Sequence, residues 1–447
     1  MTKFENSNFN PIRFMRLFLS TLSLFETANK IRSGEYPLED FINSLCDKIE
    51  ESDPFIHSLL PEAGRRVRLL ASAAELIKKY PDAKQRPALF GIPVGIKDII
   101  NVEGFETKAG SKLPSDLFEG HEASIVKQLK NAGALILGKT VTTEFAYFEP
   151  GPTRNPHNPE HTPGGSSSGS AAAVACGFTP ISIGTQTIGS VIRPAAYCGI
   201  IGFKPSFGRI PTDGILPFSV SADHVGIFTQ DIKGIELAAS VICKSWNNEL
   251  SNHERKPVLG VIEGKYLNQA DDEIQALFEE QTEMLLKAGF EVKCLKDLDN
   301  IEEINQLHKN MISAEFAAVH DKWFYEYHDF YGEETKKLIL QGKNVSDKEL
   351  SEAINDRQIF RNFLKTLMKK NRIDIWVSPA SKTTPPVGSN TGSPIMNLPW
   401  TFAGLPTITI PGVKSKTNLP VGLQFAGSFN QDERLIGFIN SLLTSVK

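Results

Sequence analysis

Two glycine- and serine-rich segments carry the residue types that chemistry needs. Gly164-Gly-Ser-Ser-Ser-Gly-Ser-Ala-Ala-Ala-Val-Ala-Cys-Gly177 is followed by Gly184-Thr-Gln-Thr-Ile-Gly-Ser-Val-Ile-Arg-Pro-Ala-Ala-Tyr-Cys-Gly199, then by Gly202-Phe-Lys-Pro-Ser206. Glycine beside serine has two physical meanings: a flexible turn, or a backbone shaped so that N–H groups converge on a reacting oxygen while a hydroxyl stands exposed. A turn alone explains one such cluster. Here there are two, each leading into a short helix-compatible stretch, and Pro194 suits the first turn of the second. Ser190 then sits where the N–H groups of Thr187, Ile188, Gly189 and Ser190 itself can surround a developing oxyanion. That is a plausible setting for a nucleophile.

A serine hydroxyl needs a base. Of the nine histidines, His57, His121, His157, His161 and His224 among them, none falls in a recognisable triad arrangement with an acid. His224, in Ser221-Ala-Asp-His-Val-Gly226, is arguable as a base but is better explained as a satisfied structural residue. A lysine serves instead if burial brings its pKa from about 10.4 toward neutrality, at about 1.4 kcal/mol per unit. Lys97, in Gly95-Ile-Lys-Asp-Ile-Ile100, has the apolar flanks such a lysine requires, although a Lys-Asp pair on a strand is more usually solvated or salt-bridged. A third motif misleads. Gly133-Ala-Leu-Ile-Leu-Gly-Lys-Thr140 fits the phosphate-loop pattern, yet a helix pattern precedes it and its middle reads as a buried strand. Nucleotide binding is rejected on that context, and Lys139 is expected to be a structural or surface lysine.

The elements that must hold these residues follow from periodicity. Residues 12 to 80 are helix-like, with Leu38, Phe41, Ile42, Leu45 and Ile49 on one face and Pro54 predicting a break. From Ala88 the texture changes to short apolar segments punctuated by glycine: Phe90–Ile96, Ala134–Gly138 and Ile181–Gly184, with a helix pattern over Glu122–Ala132. That alternation predicts an α/β fold, one large domain with a central twisted mixed sheet covered by helices on both faces. Residues 166–176 predict a buried helix of small side chains that lets another backbone approach closely. Leu259–Glu263, Glu273–Ala288 and Phe290–Leu295 give strand, helix and strand; 301–370 is charged and helical; and Ile373–Val377, Thr407–Ile410 and Gly422–Ala426 return to strands. The expected division is a helical part at 1–80, a core at 88–240, a variable region at 241–370 and a C-terminal return at 371–447. No internal repeat is visible.

Composition is that of a globular chain: 447 residues, 40% hydrophobic, 22% charged, formal net charge −4. Such a balance gives no reason to bind nucleic acid or an anionic membrane. The five cysteines, Cys46, Cys176, Cys198, Cys243 and Cys294, are scattered without metal-type spacing and suggest a reducing compartment. Arg13 to Phe25 resembles a signal peptide superficially, but its apolar run is short and no small-x-small cleavage site follows. The start of an amphipathic helix and a cytoplasmic location are expected. No stretch approaches the roughly 20 apolar residues of a membrane span.

Several further blocks carry a resemblance. Gly91-Ile-Pro-Val-Gly-Ile-Lys-Asp98, Ala132–Thr140 with Thr143-Glu-Phe-Ala146, Asn155-Pro-His-Asn-Pro159, the serine–glycine segment, Asn397–Pro406 and Leu419-Pro-Val-Gly-Leu-Gln424 occur in an order similar to that of the amidase signature family, from about residue 20 to the C-terminus. The resemblance implies a Ser-Ser-Lys catalytic unit. By motif, Lys97 is the lysine, Ser166 the serine held through a cis peptide bond, and Ser190 the nucleophile. Neutral Lys97 would draw a proton through Ser166 as Ser190 attacks an amide carbonyl, backbone N–H groups of residues 187–190 would hold the oxyanion, and water would hydrolyse the acyl-enzyme. No cofactor and no metal is implied. The expected partner is a small-molecule amide, with a homodimer compatible with this reading and neither nucleic acid nor membrane expected.

The sequence departs from the family's G-T-D-T-G-G-S pattern. Gln186 replaces the acid, Ile188 replaces the first of the paired glycines and should narrow the pocket, and Ser168 stands where glycine is usual. Arginine lies three residues after the nucleophile, at Arg193, where many relatives place it two after. That spacing resembles the malonamidase-like branch, which makes Arg193 a candidate anchor for a substrate carboxylate; the alternative is a buried arginine satisfying loop carbonyls. Within the family two other readings stand beside a small-amide amidase: the amidase subunit of a tRNA-dependent amidotransferase, which Ile188 and Arg193 argue against, and a catalytically weak binding protein, which the filled triad argues against. Residues 301–370 are expected to roof the pocket, with Trp323, Phe324 and Tyr325 either lining it or packing.

Overall fold

The computed structural model describes residues 18–251 and 255–445. Of the helix expected from Arg13, residues 13–17 lie outside the described residues, and in the described part residues 19–23 are not helical, the first full helix beginning at Leu24. The described N-terminal part includes the helices α1 (Leu24–Ser33), α2 (Leu38–Ile56) and α3 (Arg65–Lys79). Helix α2 buries Leu38, Phe41, Ile42, Leu45, Ile49 and Ile56 along one stripe, each such side chain contributing about 1.5–3 kcal/mol when fully removed from water. Pro54 does not break it. It sits in the last turn, two residues before the final helical residue Ile56, after which His57 in the left-handed region ends the helix, so it removes only one backbone donor near the end.

Ten strands of the described chain form one sheet: β1 (Pro93–Lys97), β2 (Leu135–Thr140), β3 (Ile181–Gln186), β4 (Ile201–Lys204), β5 (His224–Thr229), β6 (Leu259–Ile262), β7 (Val292–Leu295), β8 (Ile375–Pro379), β9 (Thr407–Lys414) and β10 (Pro420–Ala426). Their spatial order is β2-β1-β3-β5-β4-β9-β10-β8-β6-β7. Strands β1, β2 and β3 run parallel, as do β6, β7 and β8, and antiparallel pairs through β5, β4, β9 and β10 join the two parallel wings. The sheet is thus mixed, as expected. Strands β4 and β5, absent from the periodicity reading, lie between the first wing and the C-terminal strands. β1, β2 and β3 are buried along their whole length, which is why the first residues of β1 and β2 read as short apolar runs, whereas β3 keeps Ser182, Thr185 and Gln186 buried through hydrogen bonds or small size.

The helices between them flank the sheet: α4 (Ser124–Asn131), α5 (Ser168–Ala175), α6 (Ile192–Cys198), α7 (Ile232–Ile242), α8 (Asp272–Lys287), α9 (Ile301–Glu326), α10 (Glu333–Lys343), α11 (Asp347–Asn371), α12 (Leu398–Phe402) and α13 (Asp432–Ser445). Every residue of α5 is buried. Its small side chains permit this: a Cβ on Gly169 would lie 2.2 Å from Ser58 O and 2.4 Å from Val141 N, so the neighbouring backbones fit only against glycine. The region 301–370 resolves into α9, α10 and nearly all of α11, the last opened by a capping box between Ser346 and Glu349. No described helix is long and apolar enough to cross a membrane.

Candidate active site

Lys97 is the last residue of β1, and its side chain has no solvent exposure. Its Nζ lies 2.7 Å from Ser166 Oγ and 2.8 Å from Thr185 Oγ1, and no carboxylate is hydrogen-bonded to it. Burial pushes its pKa well below that of an ordinary lysine, opposed in part by the charge of Asp223. Asp98, next in the chain, faces elsewhere. It accepts from Lys139 Nζ at 3.0 Å and from the N–H of Lys108. Lys139 is therefore structural and buried, not a surface residue. Leu135–Thr140 of the apparent phosphate loop is strand β2.

Ser166 enters at the start of the turn into α5 through a cis Gly165–Ser166 peptide bond. Two contacts fix that turn: Thr143 N–H donates to Ser166 O at 3.2 Å, and Arg193 Nη2 donates to Gly165 O at 2.7 Å. Glycine at 165 is needed for packing, since a Cβ there would lie 2.8 Å from Thr391 Cγ2.

Ser190 lies between β3 and α6, where Gln186 organises the backbone. Its Oε1 accepts from the N–H of Val191 at 2.8 Å and Ile192 at 3.0 Å, and its Nε2 donates to Thr401 Oγ1 at 2.9 Å. Thr401 in turn donates to Ile188 O. A carboxylate could accept at the helix start but could not donate to Thr401, so the amide at 186 ties the loop to α12 as well as capping α6. Among the described residues, the N–H groups of Ile188, Gly189 and Ser190 meet no other backbone or side-chain acceptor. Gly189 is irreplaceable there: a Cβ would lie 2.3 Å from Asn397 Oδ1.

Ser166, Ser190, Thr187, Ile188 and Arg193 line one narrow cavity together with Ala146, Tyr147, Phe148, Phe218 and Pro394, with room in this conformation for little more than a water. A larger and more open groove of about 1200 Å³, lined by Asp297, Glu303, Phe360 and Phe363 among others, has neither a serine nor a histidine in its wall. Arg193 is buried on α6 without an acidic partner, and its Nε and Nη1 have no acceptor. Burial pulls it down to about 10, so it is still a cation at neutral pH. Its Nη2 meanwhile satisfies the loop carbonyl of Gly165, as the structural alternative expects, so the side chain combines one loop contact with two unpaired buried donors.

Helix α9 backs this cavity rather than lining it. Phe316 packs on Phe218 and Tyr147 with ring centroids 4.6 and 6.3 Å away. Trp323 instead packs on Phe118, Phe324 is buried against Tyr331, and Tyr325 is 89% exposed. His224 is buried with Nδ1 at Ala222 O and is held far below its ordinary pKa by burial, so it is a neutral structural residue. Sequence reasoning missed Thr185 and Asp223. Thr185 had a usable signal, a hydroxyl immediately following the segment Ile181–Gly184 that reads as a strand. Asp223 had only its neighbourhood to the weighed His224.

A family model described as Amidase matches residues 40–436. A glutamyl-tRNA(Gln) amidotransferase subunit from Koribacter versatilis is 28% identical, over 94% of this chain and 97% of that protein. The protein of the same description from Staphylococcus saprophyticus is 30% identical, over 89% of this chain and 92% of its own. Among solved structures, one described as the crystal structure of amidase matches with a TM-score of 0.83 at 27% identity, covering 94% of this chain and 100% of that one.

Proposed function

The chain belongs to the amidase family, and from that premise we propose that it hydrolyses a small carboxamide through an acyl-enzyme on Ser190, releasing a carboxylate and ammonia or an amine. The observation that carries this reading is Lys97, a buried lysine with only hydroxyl partners, one of which, Ser166 Oγ, shares a cavity wall with Ser190. A lysine kept neutral by burial accepts a proton at neutral pH, which a solvated one does not. Ser166 relays the proton from Ser190 Oγ to Lys97 as Ser190 attacks the carbonyl carbon. The free N–H groups of residues 188–190, with that of Thr187, receive the oxyanion. The proton returns through Ser166 to the departing nitrogen, the C–N bond breaks, and water releases the carboxylate by the same relay. Arg193 anchors the far end of the substrate through Nε and Nη1, which favours an amide that also bears a carboxylate or carbonyl, as the malonamidase-like spacing implies.

The relatives favour a second reading of the same chemistry. Both of these relatives are, by description, components of glutamyl-tRNA(Gln) amidotransferases and match almost end to end. Here Ser190 would release ammonia from glutamine for a partner protein. Ile188 in the cavity wall and the placement of Arg193 weigh toward the stand-alone amidase. One panel separates the two: ammonia release from malonamate, biuret, aliphatic and aryl amides and glutamine, with Ser190→Ala as control, beside purification of the chain at native abundance. Turnover of a small amide without a co-purifying protein supports the first reading. Glutamine as the sole substrate, with a stoichiometric partner, supports the second. Full activity in Ser190→Ala ends both.

A further inference from the structure

Behind the cavity lies a carboxylate that no step above uses. Asp223 is half-buried just before β5 and accepts three hydrogen bonds: from Thr187 Oγ1 at 2.5 Å, Phe218 N–H at 2.8 Å and Ser219 N–H at 3.0 Å. Thr187 opens the loop that carries Ser190, and Phe218 is a wall of the cavity. One carboxylate thus spans the two sides between which a substrate must fit. On the outer side of the same turn, Glu315 of α9 accepts from the hydroxyls of Ser219 and Ser221 and from Ser221 N–H. The turn at 218–223 is consequently held at both ends of its thickness by acids.

The charge of Asp223 also acts on Lys97, whose protonated form it favours. We propose that Asp223 is a positioning residue for the reaction: it fixes the Thr187 end of the nucleophile loop against the Phe218 wall and sets the field in which Lys97 exchanges its proton. The proposal rests on the Ser190–Ser166–Lys97 reading. The ionisable groups facing this carboxylate are Lys97 from β1 and Glu315 from α9. His224, adjacent in the chain, and His308, on α9 behind Thr187, are both held neutral by burial. Burial raises Asp223 itself to about 6, so it carries its charge above that pH.

Two substitutions divide position from charge. Asp223→Asn keeps an acceptor for the two N–H groups and removes the charge; without it Lys97 releases its proton more readily, and the acid limb of kcat/KM moves to lower pH by about half a unit or more. Thr187→Val removes the tether and leaves the charge, so kcat at the plateau falls about tenfold while the limb stays in place. An Asp223→Asn enzyme with the limb unmoved overturns the electrostatic part, and a Thr187→Val enzyme with full plateau activity overturns the positioning part. If Asp223→Asn does not fold, Thr187→Val still decides the positioning part. Ser190→Ala runs alongside: its inactivity together with either negative result defeats this proposal alone, whereas its activity defeats the underlying mechanism.

Discussion

Lys97 and Lys139 stand on neighbouring parallel strands, both buried, and the protein treats them oppositely. The register pairs Ile96 with Lys139 and Lys97 with Thr140, so the two lysines point to opposite faces of the sheet. The alternation that carries Lys97 to one face carries the following residue, Asp98, to the face of Lys139. There Lys139 gains a carboxylate at 3.0 Å and a hydroxyl, Thr107 Oγ1, at the same distance. Burial pushes Lys139 down and Asp98 up, and each charge counters the shift of the other. Lys97 has hydroxyls only. A buried amine with a carboxylate is an ion pair that holds structure, and one without is a base.

The contrast breaks first at Lys97. Lys97→Met should lower kcat about 10⁴-fold, or about 5 kcal/mol of transition-state stabilisation, while the protein stays folded. Its denaturation midpoint should hold or rise. The unfolded chain binds a proton at Lys97 at neutral pH that the folded chain resists, so this residue costs stability there. Steady-state kinetics with urea unfolding of the same preparation checks both halves; a variant that unfolds yet keeps specific activity would reverse the assignment.

Lys139→Met should do the opposite. It strands Asp98 as a buried, unpaired acid and should cost about 3–5 kcal/mol in unfolding free energy, with kcat of the folded fraction near that of the parent. Asp98→Asn combined with Lys139→Met should recover a large part of the loss, because the two effects are one interaction. Additive losses in a double-mutant cycle would show that the pair is not what holds Lys139.

The smallest effect sharpens the comparison by a neutral buried group that is no base. His320 sits among Phe145, Phe316, Trp323 and Tyr331, and burial lowers it to about 3. Its folded pKa lies below its unfolded one, so its contribution is present above about pH 6.5 and is lost progressively as pH falls toward 3. Between pH 7 and 5 this amounts to about 2 kcal/mol. In His320→Phe the fall in stability over that interval should be shallower by that amount, measured by denaturant unfolding at each pH. An unchanged slope would mean the ring is protonated in place.

Much of this was legible in order along the chain. The glycine–serine clusters marked Ser190, the apolar flanks of Lys97 suited a buried base, and the small-residue run at 166–176 announced a helix with no room around it, which the structure forms over 168–175. Helix and strand types followed from period, because burial on one face leaves a stripe and burial on both leaves a run. What did not follow were contacts between distant residues. Lys97 meets Ser166 across 69 positions and Thr185 across 88, and β4 and β5, whose few apolar residues are interrupted by glycine and flanked by polar side chains, had to be found by their partners.

The sequence by itself determined the residue types, their local backbone and, through glycines that tolerate no Cβ, where chains must touch. Only the tertiary structure decided which lysine is paired and which is not, that Arg193 keeps two donors open, and that Asp223 reaches Thr187. These are properties of the space between elements. The charge state of a buried group depends on which partners the fold brings within about 3 Å, and no local pattern encodes that.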